Sequence, residues 1–276
     1  MKGPAAGEAS GAEGTASPGH SLRPGGHSAV VAHRGASAHE AENTLPAFEA
    51  AIHAGADAIE FDVRMTADGI AVVMHDPDVS RTTDGSGLVR ELRLAEVKRL
   101  RIRLVGGDPS EVPTVDEALS CLSGRVGADI EIKNVPGEPD FEPDRQTAVE
   151  ATLAALERIA FVGDVLISSF NPFAIGRARE LAPEIQTGLL TDRDVDARAA
   201  LGFAREQGHP WILPHVVRVL DAGEGFVDEA HAAGAFVGTW LTDDASTAVS
   251  LLRGGVDAVA TNDPAVIVAA RDAALG

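Results

Sequence analysis

Short runs of β-forming residues alternate with stretches of helical period from Ala29 to the end of the chain. The stretches carry apolar residues at helical spacing, as at Val149, Leu153 and Leu156, and the first helix is expected to begin after Thr44. Such alternation is typical of an α/β domain with a mainly parallel sheet, and 276 residues are an ordinary length for one closed barrel. The nine runs span residues 29–32, 58–63, 70–74, 129–132, 165–168, 186–190, 211–213, 236–240 and 258–261.

One connection is too short for this pattern. Only Arg64 to Gly69 separates the second run from the third, whereas a parallel crossover needs about a dozen residues or more. Asp68-Gly69 favours a two-residue hairpin turn, which would set Asp62 opposite His75. We therefore predict a hairpin-like irregularity around residues 60–76. Because a barrel needs only eight strands, one of the nine runs lies outside it or extends a neighbour.

Residues 1–28 differ in composition from the rest of the chain. Of these residues 19 are Gly, Ala, Ser or Pro, and they lack the continuous apolar stretch of a secretory signal. Such a segment buries too little surface to order itself. We predict a flexible low-complexity tail over residues 1–28 and a single barrel domain over residues 29–276. We expect deletion of residues 1–27 to change neither the melting temperature nor the rate.

The chain is strongly acidic. It holds 23 Lys and Arg residues against 42 Asp and Glu residues, a formal net charge of −19 at pH 7. This charge disfavours nucleic acid and anionic membranes as partners, because both need clustered cations. No run of about 18 apolar residues occurs, so we expect no membrane-spanning helix. The lone cysteine, Cys121, can form no internal disulfide, so nothing in the sequence asks for an oxidising compartment. Because no targeting signal is recognised, we predict a cytoplasmic location.

Acidic and basic residues occur together at the ends of two predicted strands. Glu60 and Asp62 are two positions apart and therefore share one face of a strand. Glu131 and Lys133 have the same relation on a later strand. A carboxylate inside a barrel is costly unless it is paired or bound to a metal, and three converging carboxylates would suit a hard cation. The alternative is an ion-pair network, for instance Glu131 with Lys133 and Arg34.

Histidines and an arginine follow the first and third runs. Arg34 comes directly after His33 and offers bidentate recognition of a phosphate or carboxylate, to which Lys133 would add a point charge. His75 comes directly after the third run. His33 and His75 could flank one phosphate, where one takes a proton from the nucleophile and the other gives one to the leaving group. Among the remaining histidines, only His215, which follows a strand, stays a candidate.

Two aromatic residues stand at predicted strand ends. Phe170 follows Ser168-Ser169, and Trp240 ends an apolar run. Either residue could pack in the core, which is the default for aromatics, or could form an apolar wall of the site. The sequence has no dinucleotide-binding glycine loop, Walker loop, Gly-x-Ser-x-Gly elbow or metal-binding cysteine set, which disfavours nucleotide-binding and serine-hydrolase functions.

Taken in order, these motifs resemble the glycerophosphodiester phosphodiesterase family over about residues 30–270. Each motif alone is weakly specific, whereas the ordered set is highly specific. The N-terminal motifs are His33-Arg34-Gly35, Glu42-Asn43-Thr44, Glu60-Phe61-Asp62-Val63, His75-Asp76, Arg81-Thr82-Thr83-Asp84-Gly85, Val112-Pro113-Thr114 and Glu131-Ile132-Lys133. The C-terminal motifs are Ser168-Ser169-Phe170, Trp240 and Thr261-Asn262-Asp263-Pro264.

The resemblance implies a TIM-type (βα)8 barrel with its site at the C-terminal ends of the strands. It implies metal-dependent hydrolysis of a glycerophosphodiester to sn-glycerol 3-phosphate and an alcohol, with one divalent cation, Mg²⁺ or Ca²⁺. Attack by a glycerol hydroxyl through a cyclic phosphate and direct attack by water both stay open. The implied residues are Glu60, Asp62 and Glu131 as metal ligands, His33 and His75 as acid and base, Arg34 and Lys133 as phosphate contacts, and Trp240 beside the glycerol. Phe170 is added as a candidate substrate contact because it stands at a strand end.

The sequence departs from the family pattern at two positions. Ala41 stands where the family often has proline, which implies a small change in loop rigidity. After Trp240 the sequence reads Leu-Thr-Asp-Asp, where the family commonly has a Thr-Val-Asn type of sequence. An aspartate at position 243 near the mouth would disfavour an anionic head group.

Three other functions compete with this interpretation. A phospholipase D- or C-like enzyme on lyso- or intact phospholipids would need a membrane-facing surface, which the net charge of −19 disfavours. A non-catalytic barrel that binds a glycerol phosphate would be expected to lack a catalytic histidine or a metal-binding carboxylate. A metal-dependent barrel lyase or aldolase would not call for two flanking histidines with phosphate-directed cations.

Overall fold

Eight parallel strands close into a barrel, and a ninth strand lies outside it. The computed structural model describes Leu22 and residues 27–102, 109–143 and 145–275. Over these residues the strands are β1 Ala29–His33, β2 Ala58–Met65, β3 Ala71–Val73, β4 Gly127–Ile132, β5 Val165–Ser169, β6 Gln186–Thr191, β7 Trp211–Pro214, β8 Phe236–Thr239 and β9 Ala258–Thr261. The barrel order is β1-β9-β8-β7-β6-β5-β4-β2, and the β1–β2 pairing closes it. The predicted TIM-type barrel is confirmed.

Helices separate the parallel strands and bury their apolar faces against them. The first helix begins after Thr44, as predicted, because the Thr44 side chain accepts a hydrogen bond from the backbone N–H of Ala47. Asn171, Asp196 and Asp244 cap later helices in the same way. The helices are α1 Leu45–His53, α2 Leu94–Val97, α3 Val115–Leu122, α4 Thr147–Ile159, α5 Pro172–Leu181, α6 Ala197–Gln207, α7 Val216–Ala222, α8 Phe226–Ala232, α9 Ala245–Arg253 and α10 Pro264–Leu275.

The predicted hairpin is present, but its register differs by one residue from the expected one. β3 pairs antiparallel with the upper end of β2, with Val63 opposite Val73. The backbone N–H of Thr66 bonds to the carbonyl of Ile70, which leaves a three-residue loop rather than the two-residue turn. Gly69 takes the left-handed conformation (φ +77°) that closes such a loop. The run that lies outside the barrel is therefore the third one, β3, which pairs with the extended end of β2.

The interior of the barrel is unevenly filled. Large side chains such as Leu166, Trp211 and Leu213 come from β5 and β7, whereas the first residues of β1, β2, β4 and β9 are small: Ala29, Ala58, Gly127 and Ala258. Leu22 fills the space that these small residues leave at the N-terminal end of the barrel. Its Cδ2 lies 3.2 Å from the position that a Cβ on Gly127 would take, and only 3% of the residue is exposed. Leu22 also lines the floor of the central cavity.

The burial of Leu22 revises the expectation for the N-terminus. Most of the predicted flexible tail, residues 1–21 and 23–26, lies outside the described residues. Leu22→Ala is expected to lower the free energy of unfolding by about 2–4 kcal/mol, because truncating a buried leucine removes apolar contacts and leaves a cavity. Deletion of residues 1–27 removes the same side chain and is now expected to destabilise the protein. Urea unfolding measures both changes.

A matched substitution on the surface controls for the general effect of losing a leucine side chain. Leu220 on α7 is 50% exposed. Leu220→Ala is therefore expected to change the free energy of unfolding by no more than about 0.5 kcal/mol. An unchanged urea midpoint for Leu22→Ala would show that packing of Leu22 at the N-terminal end of the barrel does not stabilise the fold.

Within the described part of the chain, no helix combines the length and the apolar character that crossing a bilayer requires.

Candidate active site

Three buried carboxylates meet at the C-terminal ends of neighbouring strands. Glu60 and Asp62 point inward from β2, and Glu131 points inward from β4, where it stands opposite Asp62. One oxygen of each carboxylate lies within 4.8 Å of the others. All three residues are buried, and Asp62 is fully inaccessible. The two strands therefore bring together the residues that the sequence predicts as metal ligands.

The charges of this cluster are only partly neutralised by the protein. Lys133 Nζ lies 2.5 Å from Glu131 Oε1 and 3.2 Å from Asp62 Oδ1. Glu60 Oε2 accepts the backbone N–H of Arg34 at 2.8 Å, whereas the buried Glu60 Oε1 accepts no hydrogen bond from the described residues. A buried carboxylate oxygen without a partner is costly, and an all-oxygen donor set suits a hard divalent cation. The residues present therefore fit such an ion.

The pKa values of the three carboxylates reflect their burial and the charges around them. Burial raises the pKa of Glu60 well above its ordinary value, and the charges of Asp62 and Glu131 raise it further. Burial also raises the pKa of Glu131, against the opposing effect of Lys133. Burial opposes ionisation of Asp62 as well, but Lys133 and Arg34 together hold the pKa of Asp62 below its ordinary value. A bound cation would favour the ionised form of all three carboxylates.

Arg34 and Asn43 hold Asp62 in place from the loop after β1. Arg34 Nε lies 3.1 Å from Asp62 Oδ2, and Asn43 Nδ2 donates to the same oxygen at 2.7 Å. Both loop residues adopt left-handed conformations, with φ +58° and +59°, and Asn43 N–H bonds to the carbonyl of Arg34. Of the ion-pair network considered as the alternative to a metal site, Glu131 pairs with Lys133, whereas Arg34 pairs with Asp62 and Glu42. Sequence analysis assigned no role to Asn43.

His33 ends β1 beside the carboxylate cluster. Its Nδ1 lies 2.8 Å from Asn262 Oδ1, and its Nε2 lies 4.0 Å from Glu60 Oε2. Burial and, to a smaller extent, the charge of Arg34 lower the pKa of His33 to about 4. The ring is therefore neutral near pH 7 in the absence of a bound anion, with Nε2 on the side of Glu60.

His75 follows β3 on the other side of the site. Its Nδ1 lies 2.5 Å from Asp76 Oδ1, so this carboxylate fixes the ring and leaves Nε2 for chemistry. Arg81 bonds to both Asp76 and Glu42, which ties the loop after β3 to the loop after β1. Burial lowers the pKa of His75, although Asp62 opposes this effect.

Arg64 joins the two segments that carry His75 and Lys133. It follows Glu60 and Asp62 on the same face of β2, and its side chain is fully buried. Its Nε donates to the backbone carbonyl of His75 at 2.7 Å, and its Nη1 donates to that of Lys133 at 3.2 Å. The same guanidinium pairs with the carboxylates of Glu138 and Asp140 at 2.8 and 2.6 Å. Sequence analysis missed this role, for which the only signal is the two-residue spacing on β2.

Aromatic side chains form the opposite wall of the site. Phe170 and Trp240 meet edge to face with ring centroids 5.3 Å apart, and Lys133 Nζ lies 5.7 Å from the Phe170 ring. The Trp240 indole N–H donates to the carbonyl of Thr191 at 3.2 Å, which fixes the ring. His215 packs edge-on against Trp240 and caps α7, so its role in the structure is packing rather than chemistry.

One cavity of about 180 Å³ joins these two walls inside the barrel mouth. It has a polar side toward β1–β4 and an apolar side toward β5–β9. Asp62 lies buried behind this lining and contacts it through Arg34 and Lys133. The predicted site residues that line the cavity are His33, Arg34, Glu60, His75, Glu131, Lys133, Phe170 and Trp240. The arrangement can hold an anion between cations while a histidine stands on each side of it.

Comparison with known proteins identifies one family. A model of the glycerophosphoryl diester phosphodiesterase family matches residues 33–266 of the chain. The glycerophosphodiester phosphodiesterase of Caldanaerobacter subterraneus subsp. tengcongensis is 32% identical over 249 residues, which cover 87% of this chain and 96% of that protein.

Solved structures show the same similarity. A phosphodiesterase from Oleispira antarctica, solved in complex with the product sn-glycerol-3-phosphate, superposes with a TM-score of 0.76 at 28% identity, over 91% of this chain and 99% of that one. A glycerophosphodiester phosphodiesterase from Agrobacterium tumefaciens superposes with a TM-score of 0.72 at 26% identity, over 88% and 98% of the two chains.

Proposed function

Since the chain belongs to the glycerophosphoryl diester phosphodiesterase family and is a phosphoric diester hydrolase, we propose that it cleaves glycerophosphodiesters to sn-glycerol 3-phosphate and an alcohol with one divalent cation and two histidines. The observation that carries this proposal is the convergence of three buried carboxylates, two cations and two histidines on one cavity. The product named for the Oleispira antarctica structure supports the same substrate class.

The phosphate is proposed to bind on the polar side of the cavity. Glu60, Asp62 and Glu131 would hold Mg²⁺ or Ca²⁺, which, when bound, polarises a phosphoryl oxygen and offsets the charge that develops on it. Arg34 and Lys133 contact the remaining phosphoryl oxygens. Both cations are already held by the carboxylates that they pair with, so they need little reorganisation during the reaction.

The two histidines are proposed to move protons in opposite directions. One neutral ring takes the proton of the attacking hydroxyl, which belongs to water or to the substrate's glycerol. The other ring, as the imidazolium, delivers its Nε2 proton to the alcohol oxygen as the bond between that oxygen and phosphorus breaks. Asn262 and Asp76 each engage a ring Nδ1, so His33 and His75 both work through Nε2. If the glycerol hydroxyl attacks, water opens the cyclic phosphate in a second step in which the two rings exchange roles. If water attacks directly, the two rings return to their original protonation by proton exchange with solvent.

The glycerol moiety is proposed to lie against the aromatic wall. Phe170 and Trp240 present an apolar surface next to the ammonium group of Lys133. Such a surface suits the carbon face of a glycerol while the nearby cation meets its phosphate. A single barrel domain over residues 29–276, a cytoplasmic location and a small-molecule partner rather than nucleic acid belong to the same proposal.

The proposal is tested by release of glycerol 3-phosphate from glycerophosphocholine, followed with a coupled dehydrogenase. Parallel reactions contain Mg²⁺, Ca²⁺ or a chelator. Release is expected with at least one cation, and the chelator is expected to abolish it. Glycerophosphoethanolamine and glycerophosphoinositol report the preferred head group, and lysophosphatidylcholine tests the phospholipase alternative. Absence of release from every glycerophosphodiester with either cation would contradict the proposal.

A further inference from the structure

Asp243 lies in the loop after β8, and both oxygens of its carboxylate accept hydrogen bonds from neighbouring protein groups. Oδ1 accepts hydrogen bonds from Thr261 Oγ1 at 2.8 Å and from the backbone N–H of Asn262 at 2.7 Å. Oδ2 accepts from the Asn262 side-chain amide Nδ2 at 2.9 Å. These bonds outweigh burial and lower the pKa of Asp243. The carboxylate therefore acts on the loop after β9, which differs from the head-group role expected from the sequence.

The carboxylate of Asp243 determines which way the Asn262 amide faces. A carboxylate only accepts hydrogen bonds, so the Asn262 NH₂ group must point toward Asp243. The amide oxygen then points toward His33 Nδ1, 2.8 Å away. Ser37 Oγ lies 2.9 Å from the same oxygen and 2.7 Å from the His33 carbonyl. Because a hydroxyl both donates and accepts, Ser37 would tolerate either orientation of the amide, whereas Asp243 tolerates one.

The orientation of the amide in turn selects the tautomer of His33. An oxygen facing Nδ1 requires the proton on Nδ1, so the lone pair of the neutral ring lies on Nε2. That nitrogen is on the side of Glu60, where it lies 4.0 Å from Oε2. With the opposite tautomer Nε2 would carry a proton, and the ring could no longer accept one there.

We propose that Asp243 is a positioning residue, which acts through Asn262 to hold the proton of His33 on Nδ1 and to keep Nε2 free as the base. The chain of contacts runs from the Asp243 carboxylate through one side-chain amide to the imidazole. The catalytic consequence rests on the proposed acid–base function of His33. The tautomer itself does not, since it follows from the hydrogen bonds alone.

Asp243→Asn tests this chain with a nearly isosteric change. The asparagine oxygen can still accept from Thr261 and from the backbone N–H of Asn262. Its NH₂ group would replace Oδ2 and face the NH₂ group of Asn262. The repulsion between these two donors is relieved when the Asn262 amide turns over. The turned amide presents NH₂ to His33 Nδ1 and switches the tautomer. We expect kcat for glycerophosphocholine to fall by about 10- to 100-fold, with KM changing by less than about 2-fold.

The tautomer is read independently of catalysis by ¹H–¹⁵N correlation spectra of the histidine side chains. His33 is assigned by the loss of its signals in His33→Gln. Wild-type protein is expected to show the Nδ1–H form of His33, and Asp243→Asn the Nε2–H form. An Nδ1–H signal that persists in Asp243→Asn would overturn the proposal, whatever the activity.

A reciprocal exchange provides the rescue. In the double variant Asp243→Asn with Asn262→Asp, the acceptor-only carboxylate stands at position 262. One of its oxygens meets the asparagine NH₂ at position 243, and the other accepts the His33 Nδ1 proton again. We expect the Nδ1–H form to return. The double variant should also recover at least about a third of the decrease in log kcat that Asp243→Asn causes. A double variant that stays in the Nε2–H form would contradict the proposed chain.

Asp244→Asn is the matched control. Asp244 is the next residue, but its carboxylate caps α9 by accepting from Thr247 N–H and Ser246 Oγ. This substitution is expected to lower stability slightly and to leave both kcat and the His33 tautomer unchanged. If the wild-type protein hydrolyses no glycerophosphodiester while the tautomer follows Asp243, the proposed function fails and the positioning inference stands.

Discussion

Replacing His75 with alanine is expected to lower kcat for glycerophosphodiester hydrolysis by about 10³-fold, within the range that a general acid or base contributes. Asp76 holds Nδ1 of the wild-type ring, and Arg81 holds Asp76, so the ring enters the reaction already oriented. The alanine variant loses the proton-transfer group but none of the three carboxylates of the cluster. The metal concentration that gives half-maximal activity should therefore stay nearly the same.

The test of His75→Ala compares kcat, metal dependence and thermal midpoint with those of His53→Ala. His53 lies on α1 with 78% of its side chain exposed, so its loss is expected to change none of the three measurements. The His75 side chain is 30% exposed, and its truncation should cost little stability. Wild-type turnover in His75→Ala would remove this residue from the proposed acid–base pair.

Asp62→Asn is expected to raise the metal concentration required for half-maximal activity by at least about 10-fold, since even changes outside the ligand set cost metal affinity 10- to 100-fold. The substitution removes one of three buried carboxylates that face one another, and it also removes one of the charged partners of both Arg34 and Lys133. Activity as a function of Mg²⁺ and Ca²⁺ concentration measures the effect.

Metal binding is also measured without turnover. A cation that binds only the folded protein raises its thermal midpoint as the metal concentration increases. This curve should move to higher metal concentration in Asp62→Asn. Asp129→Asn is the comparison variant, because Asp129 lies on the same face of β4 and lines the same cavity, but its carboxylate bonds to Ser168 and is not one of the three that converge, so a smaller shift is expected. An unchanged metal requirement in Asp62→Asn would exclude Asp62 from the ligand set.

Much of the fold follows from local patterns in the sequence. The strand positions follow from the apolar runs, and the start of α1 follows from the Thr44 cap, because both depend on residues close together in the chain. The hairpin also followed from the short connection between β2 and β3. Its register was wrong by one residue because turn residues favour a loop without fixing its length, and the three-residue loop at Gly69 shifts every pair.

The residue types of the candidate site also follow from the sequence. Carboxylates two apart on one strand must share a face, so Glu60 and Asp62 were expected to act together, as were Glu131 and Lys133. Their ordered motifs led to the family that the comparisons confirm. The barrel, the family and the set of polar residues at the barrel mouth can thus be predicted from the sequence.

How these residues are held depends on contacts between segments far apart in the chain. Leu22 is buried because small residues on separate strands leave a space at the barrel floor, and no local pattern reports that space. Arg64 bonds to backbone carbonyls of two distant segments, and Asp243 accepts a hydrogen bond from a side-chain amide of another loop. Packing and hydrogen bonds between segments far apart in sequence depend on barrel closure. The sequence therefore specifies the polar groups at the barrel mouth, whereas closure of the barrel specifies their orientation.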